Sequence, residues 1–185
     1  MRPMKFCPEC GQPVEVRVPE GDHLPRHVCG SCESIHYHNP KIIVGCVPEY
    51  EGRILLCRRA IEPRHGFWTF PAGFMENGET MQQGAARESW EEALARVEIG
   101  SPLAIVHVLH AEQVHVTFRA RLPSPEFAAG AESLEVGLYE PAEIPWREIA
   151  FPSVHFALER WLEDRSRGRE ELHFTAIDRR LPAPG

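Results

Sequence analysis

No stretch of the 185-residue sequence approaches the roughly 20 consecutive apolar residues that a membrane-spanning helix needs. The opening MRPMKFCPEC has no apolar stretch of the secretory kind, so the expectation is a cytoplasmic chain with no membrane partner. Basic residues are in deficit, 20 Lys+Arg against 27 Asp+Glu, for a formal net charge of -7. No general positive field gathers nucleic acid, and an anionic ligand must be met by local basic groups or by metal. There is no internal repeat, and 43% hydrophobic with 25% charged residues gives no ground for disorder. The length suits one ordinary domain with a small appendage.

Cysteine is present and patterned. CPEC (Cys7, Cys10) and CGSC (Cys29, Cys32) form two C-x-x-C knuckles. Each aims two thiolates at one point, and two knuckles close a tetrahedral structural Zn²⁺ site. Two disulfides or a redox C-x-x-C are the alternatives; a cytosolic chain disfavours the first and the doubled motif the second. Gly11 and Gly30 are expected to supply the backbone freedom of the two turns. Cys46 and Cys57 lie in apolar stretches and read as small core residues. The histidines His23, His27, His36 and His38 read as surface or supporting groups, since four cysteines already complete a site.

Residues 1–40 therefore read as a zinc ribbon too poor in large apolar side chains to fold without metal. Residues 41–178 form the main domain, and 179–185 a loose tail. IIVGCVPEY, a turn at Glu51-Gly52 and RILLCRR make a β-hairpin. GFWTFPAGF is a short strand and loop. Thr80 to about Leu94 reads as a helix opened by a Thr80/Gln83 capping box. Strands are expected at LAIVHVL, HVTFRARL, LEVGLYE and ELHFTAI, with an amphipathic helix at SVHFALERWLEDR.

RESWEEA, residues 87–93, crowds like charges. On a helix Glu88, Glu91 and Glu92 fall within an arc of about 100°. A solvated face is the ordinary solution; coordination of Mg²⁺ or Mn²⁺, which take oxygen ligands, is the other. Trp90 turns away from the carboxylates and is assigned to the core side.

The surrounding GFMENGETMQQGAARESWEEALA, residues 73–95, resembles the Nudix box, G-x5-E-x7-R-E-U-x-E-E-x-G-U with U aliphatic. Gly73, Glu79, Arg87, Glu88, Glu91 and Glu92 match its fixed polar positions. Ser89 stands at an aliphatic position and Leu94 where the pattern has glycine, so the helix is expected to end differently from the usual glycine stop. With the ribbon and GFWTFPAG, the sequence looks like bacterial and plant Nudix hydrolases of the FAD and ADP-ribose pyrophosphatase kind. NADH pyrophosphatases are the rival, but the S-Q-P-W-P-F-P stretch they carry after the box is missing.

The resemblance implies an α/β class fold, an α/β/α sandwich around a mixed sheet, and hydrolysis of a P–O–P bond in a small nucleotide with Mg²⁺ or Mn²⁺ held by Glu88, Glu91 and Glu92. Arg87 would steady a box carboxylate. Glu79 would be a water-mediated ligand or the partner of Arg87. The general base would come from the box or from a later loop, with Glu135 or Glu132 as candidates. Gly73 would allow phosphate approach, and Trp68 and Phe70, with Phe67 and Phe151, are candidates for stacking a base or flavin or for core packing. A homodimer is what the family suggests. A nucleotide-sensing regulator with a nucleic-acid-binding ribbon is the alternative of another class. The intact glutamates, and a ribbon mixing Glu9, Glu15, Glu20, Asp22 and Glu33 with Lys5, Arg17 and Arg26, speak against it.

Overall fold

The computed structural model describes residues 4–178; the expected 179–185 tail lies outside them. The chain divides into two compact units, Met1–Pro40 and Lys41–Gly185.

In the first unit β1 (Val14–Arg17), β2 (Arg26–Cys29) and β3 (Ile35–His36) form an antiparallel sheet in that order. Among its described residues the buried apolar ones are Cys7, Pro19, Val28 and Cys29, too few to make a core of useful size. Gly11, at φ +73°, closes the first knuckle by donating its N–H to the Cys7 carbonyl at 2.8 Å. The second knuckle departs from expectation: Glu33 at φ +59°, not Gly30, takes the left-handed conformation, and its N–H reaches the Cys29 carbonyl at 3.0 Å.

The second unit begins with β4 (Lys41–Tyr50), which turns through Glu51 and Gly52, both left-handed, into β5 (Arg53–Arg59). Two consecutive positive-φ residues are the geometry of a tight hairpin whose twist matches its strands. The strands then diverge. β4 meets β5 only at Glu49 and Tyr50, whereas β6 (Trp68–Thr69) pairs with β5 and β7 (Ala72–Phe74) with β4. Beyond helix α1 (Met81–Ala93) come β8 (Glu98–Val108), β9 (Gln113–Arg121), β10 (Ser133–Tyr139), helix α2 (Pro152–Arg167) and β11 (His173–Ile177). The sheet order is β10-β5-β4-β9-β8-β11, with β4 parallel to β9, β8 parallel to β11 and the other pairs antiparallel.

Strand alternation sends the two sides of this mixed sheet to different helices. Val44, Cys46, Val116, Phe118 and Ala120 pack with Ala85 of α1. Val47, Val106 and Val108 pack with Val154, Ala157, Leu158 and Trp161 of α2. The result is the α/β/α sandwich. Cys46 and Cys57 are buried as expected.

Helix α1 opens with the expected capping box: the Gln83 N–H donates to Thr80 Oγ1 at 3.2 Å, and the Thr80 N–H to Gln83 Oε1 at 2.8 Å. Its other end corrects the reading of Leu94. Leu94 adopts the left-handed stop that glycine usually provides (φ +47°, ψ +27°), and the Ala95 N–H returns to the Ser89 carbonyl at 3.2 Å. Trp90 is also corrected. It is 46% exposed, beneath the Arg96 guanidinium at 5.2 Å, because the core-facing stripe of α1 is made of Gly84, Ala85, Ser89 and Ala93. Such a narrow stripe lets the helix approach the sheet closely and leaves no room for an indole.

Candidate active site

Small residues bring α1 against β4 and β7. A Cβ at Gly84 would meet Glu79 Oε1 and Val44 Cγ2, both at 2.7 Å, and one at Gly73 would occupy the position of the Glu88 carboxylate. The loop between β7 and α1 folds onto Glu79, whose Oε1 accepts the Glu76 N–H at 2.7 Å.

Arg87 ties the box together. Its Nε and Nη2 bind both oxygens of Glu79 at 3.0 and 2.8 Å, Nη2 also reaches the Phe74 carbonyl at 3.0 Å, and Nη1 donates to Glu88 at 2.8 Å and Glu91 at 2.9 Å. Such a forked, charge-assisted arrangement fixes orientation as well as charge. Glu79 is thus the principal partner of Arg87, and the guanidinium holds its carboxyl down to about 2.

The three metal-face carboxylates are not equivalent. Glu88 and Glu92 are each less than a tenth exposed, whereas the Glu91 side chain is half exposed. Glu92 Oε2 accepts a single long hydrogen bond, from the Ala72 N–H at 3.3 Å. Burial, then the neighbouring Glu88 charge, pushes its carboxyl up to about 8. Burial raises Glu88 as well, against the pull of Arg87. Two neighbouring buried carboxylates, of which Glu88 alone is bound by Arg87, are short of positive charge, and a hard divalent cation is the group that such an oxygen set accommodates. The donor chemistry fits Mg²⁺ or Mn²⁺.

These side chains line one wall of a cavity of about 1020 Å3 with Gly73, Phe70 and Phe151. Trp68 is not part of it. The indole lies in the core, edge-on to Tyr139 at 5.1 Å, because alternation along the two-residue strand β6 turns it inward. Glu135 is displaced too: on β10 it faces Arg58 at 3.8 Å, outside the cavity lining. Glu132, three residues earlier and ahead of the irregularity where β10 joins β5, lines the cavity, and its charge is felt by both Glu88 and Glu92.

The same cavity is lined by residues that motif reading missed. Arg59 is 9% exposed, donates Nε to the Pro63 carbonyl at 2.9 Å and covers the Phe151 ring at 5.1 Å. Among the described residues it has no carboxylate at ion-pair distance, and burial lowers its pKa. The available signal was its phase in RILLCRR, which it shares with the buried Leu55 and Cys57. Gln113 and His115 of β9 line the same cavity, with His115 Nε2 2.9 Å from Gln113 Oε1. Nothing in their local sequence marks them.

In the first unit the Sγ atoms of Cys7, Cys10, Cys29 and Cys32 all lie within 4.8 Å of one another, and all four thiols are free. Sulfurs 3.5 to 3.6 Å apart, as in the Cys10/Cys29 and Cys7/Cys32 pairs, match the edges of a tetrahedron with roughly 2.3 Å metal–sulfur bonds. The donor set fits Zn²⁺.

Comparison with known proteins agrees with this geometry. The Nudix N-terminal zinc-ribbon model matches residues 5–38 and the NUDIX domain model residues 39–162. A NUDIX hydrolase from Nitrosomonas europaea is 53% identical, with a TM-score of 0.90, over 94% of this chain and 100% of that one. The chain belongs to the Nudix hydrolases. This Nudix hydrolase is also 37% identical over 95 residues to an NAD-capped RNA hydrolase, NudC, of Chromobacterium violaceum. That alignment covers 51% of the chain and 34% of the relative, so only about a third of the relative's length is represented. An ADP-ribose pyrophosphatase of Streptococcus suis, 23% identical with a TM-score of 0.62 over 74% of this chain and 100% of that one, shares the fold.

Proposed function

We propose that this Nudix hydrolase cleaves the pyrophosphate bond of a nucleoside diphosphate joined to a second ring or sugar, with NADH or NAD⁺ ahead of ADP-ribose. The observation that carries the reading is the cavity itself. Glu88, Glu91, Glu92 and Arg59 line one cavity together with apolar groups such as Ile43, Phe70, Val108 and Phe151, and it is large enough for a nucleotide with a substituent on each side of its diphosphate. Arg59 binds a phosphoryl oxygen, since a buried guanidinium without a carboxylate is stabilised by an anionic ligand. Glu88, Glu91 and Glu92 hold Mg²⁺ or Mn²⁺, which supplies charge neutralisation at the phosphoryl oxygens and a more acidic water. Arg87 and Glu79 keep that face in shape. Glu132 takes the proton from the water attacking phosphorus, and Phe151 supplies a ring face for stacking.

The missing post-box stretch argued for FAD or ADP-ribose over NADH. The NudC relatives move NAD(H) forward, and none of the relatives named above supports FAD. Their RNA-borne NAD is a second form of the same diphosphate, although the mixed charge of the ribbon offers an RNA backbone little attraction. In the first unit, Cys7, Cys10, Cys29 and Cys32 hold a structural Zn²⁺.

The test is a kcat/KM series with NADH, NAD⁺, ADP-ribose, FAD, an NAD-capped oligoribonucleotide and nucleoside triphosphates in Mg²⁺ or Mn²⁺. The reading expects NADH or NAD⁺ at the top and NMN(H) with AMP as products. Triphosphates cleaved more efficiently than every dinucleotide would refute it.

A further inference from the structure

We propose that Gly130 is a positioning residue: its missing side chain lets the loop after β9 seat directly on the last turn of α1, and that contact fixes Glu132 relative to Glu91 and Glu92. The inference rests on the reading of Glu132 as the base and names what holds that base against the metal face.

Residues 122–132, between β9 and β10, form no helix or strand, so no regular element of their own sets the place of Glu132. The side chain is exposed, yet it lines the cavity, and its charge reaches Glu88, Glu92 and Arg59. Something else must hold it there.

The end of α1 does so. Phe127 packs into the apolar cluster that contains Ala93 and Ala95. The Ala128 N–H donates to the Ala93 carbonyl at 2.9 Å, and the Gly130 N–H to the Glu92 carbonyl at 3.0 Å. The last four carbonyls of a helix have no partner within it, and the loop supplies donors to two of them. Beyond Gly130 the chain is closed quickly. The Ser133 N–H returns to the Gly130 carbonyl at 3.1 Å, and the Glu132 carbonyl accepts the N–H of Ala60, just after β5, at 2.8 Å. Glu92 thus offers its side chain to the metal face and its carbonyl to the loop that carries the base.

Gly130 has no left-handed φ, so its backbone conformation does not call for glycine. The close approach does. A Cβ there would lie 1.8 Å from the Glu91 carbonyl oxygen, 2.8 Å from its carbon and 3.1 Å from the Glu92 carbonyl carbon. These are backbone atoms of a helix and cannot swing aside as a side chain would. An alanine forces the two chains apart by about 1.2 Å before the shortest contact reaches even 3.0 Å. Glu132 follows two residues later, and a displacement of about 1 Å at a reacting group is enough to cost on the order of 100-fold in rate.

The experiment compares kcat, KM and the Mg²⁺ half-saturation of the wild type, Gly130→Ala, Glu132→Gln and the double variant, using the best-cleaved nucleotide of the series above. Gly130→Ala should lower kcat about 10- to 100-fold, with KM and the Mg²⁺ half-saturation within about threefold of wild type. In the Glu132→Gln background the same change should lower kcat by no more than about threefold, because the group it misplaces is already gone. A loss of folded protein would instead multiply through both backgrounds. Additive losses, a shifted Mg²⁺ half-saturation or a wild-type kcat for Gly130→Ala would each overturn the assignment while leaving Glu132 as the base. Wild-type turnover by Glu132→Gln overturns the base and the assignment together. Should Gly130→Ala fail to fold, a glycine inserted between Gly130 and Ala131 keeps both bonds to α1 and lengthens only the link to Glu132. It should reproduce the kcat loss, again with little further effect on Glu132→Gln, and an unchanged kcat would sink the proposal.

Discussion

Replacing Glu92 by Gln should stabilise the metal-free protein while abolishing most of its activity. The carboxyl moves from its ordinary 4.5 to about 8 on folding, because it is buried and lies next to Glu88. The folded chain therefore holds the proton more tightly than the unfolded one. This favourable contribution is complete below pH 4.5 and is lost as pH rises towards 8. At ~1.36 kcal/mol for each pH unit, the interval from 4.5 to about 8 sets a ceiling of about 5 kcal/mol. Removing the partly compensated charge should recover about 2 to 3 kcal/mol of that at pH 8, after loss of the long Ala72 hydrogen bond. Urea unfolding in divalent-free buffer at pH 5 and 8 measures it. The gain should be clear at pH 8, nearly absent at pH 5, and reduced by Mg²⁺, which stabilises only the wild type. A Glu92→Gln protein no more stable than wild type at pH 8, or with the same gain at both pH values, would show that this carboxylate is not electrostatically strained.

Leu94→Gly should stabilise the protein by about 0.5 to 1 kcal/mol, since a side chain in the left-handed region costs roughly 1 to 2 kcal/mol, part of it offset by the entropy of glycine; a thermal melt reads it. Glu132→Gln should lower kcat at least about 100-fold, with Glu135→Gln close to wild type, if the base faces the cavity from position 132. A steady-state assay of the pair decides which position matters. Cys29→Ser should remove bound zinc, found by metal analysis, and unfold the first unit, because structural zinc binding supplies on the order of 10 kcal/mol. The circular dichroism lost should be that of residues 4–40, with catalytic-metal dependence unchanged.

The parts of the fold that declare themselves in sequence are those governed by local rules. Glu51-Gly52 announces a hairpin because few pairs tolerate two consecutive positive φ values, and Thr80 with Gln83 announces a helix start because the cap is closed between them. The box glutamates were legible as a group because their spacing is helical. What spacing could not convey was inequality, since the burial of Glu88 and Glu92 beside an exposed Glu91 is set by β7 and the cavity rather than by the helix. The same limit explains Trp90, whose direction on the helix was readable while the narrowness of the surface beneath it was not. Glu132 and Glu135 were indistinguishable as letters. An irregularity in strand pairing at Ser133 separates the one that reaches the cavity from the one that pairs with Arg58. Arg59, Gln113 and His115 join the site through long-range strand pairing, which a local motif does not encode.

Ser89 occupies a position where the box pattern has an aliphatic side chain, yet it is fully buried. Its hydroxyl donates to the Ala85 carbonyl at 3.0 Å and lies 3.2 Å from the equally buried Cys46 Sγ. The hydroxyl and the thiol therefore share one small space between helix and sheet. A leucine at 89 would collide with the sulfur, and an alanine at 46 would leave a void beside the serine, so either single change costs stability. Changed together, to a bulkier residue on the helix and a smaller one on the strand, they can fill the same volume. The two positions form an epistatic pair, and a mutational path from this chain to the ordinary aliphatic box passes through a less stable intermediate unless both substitutions arrive at once.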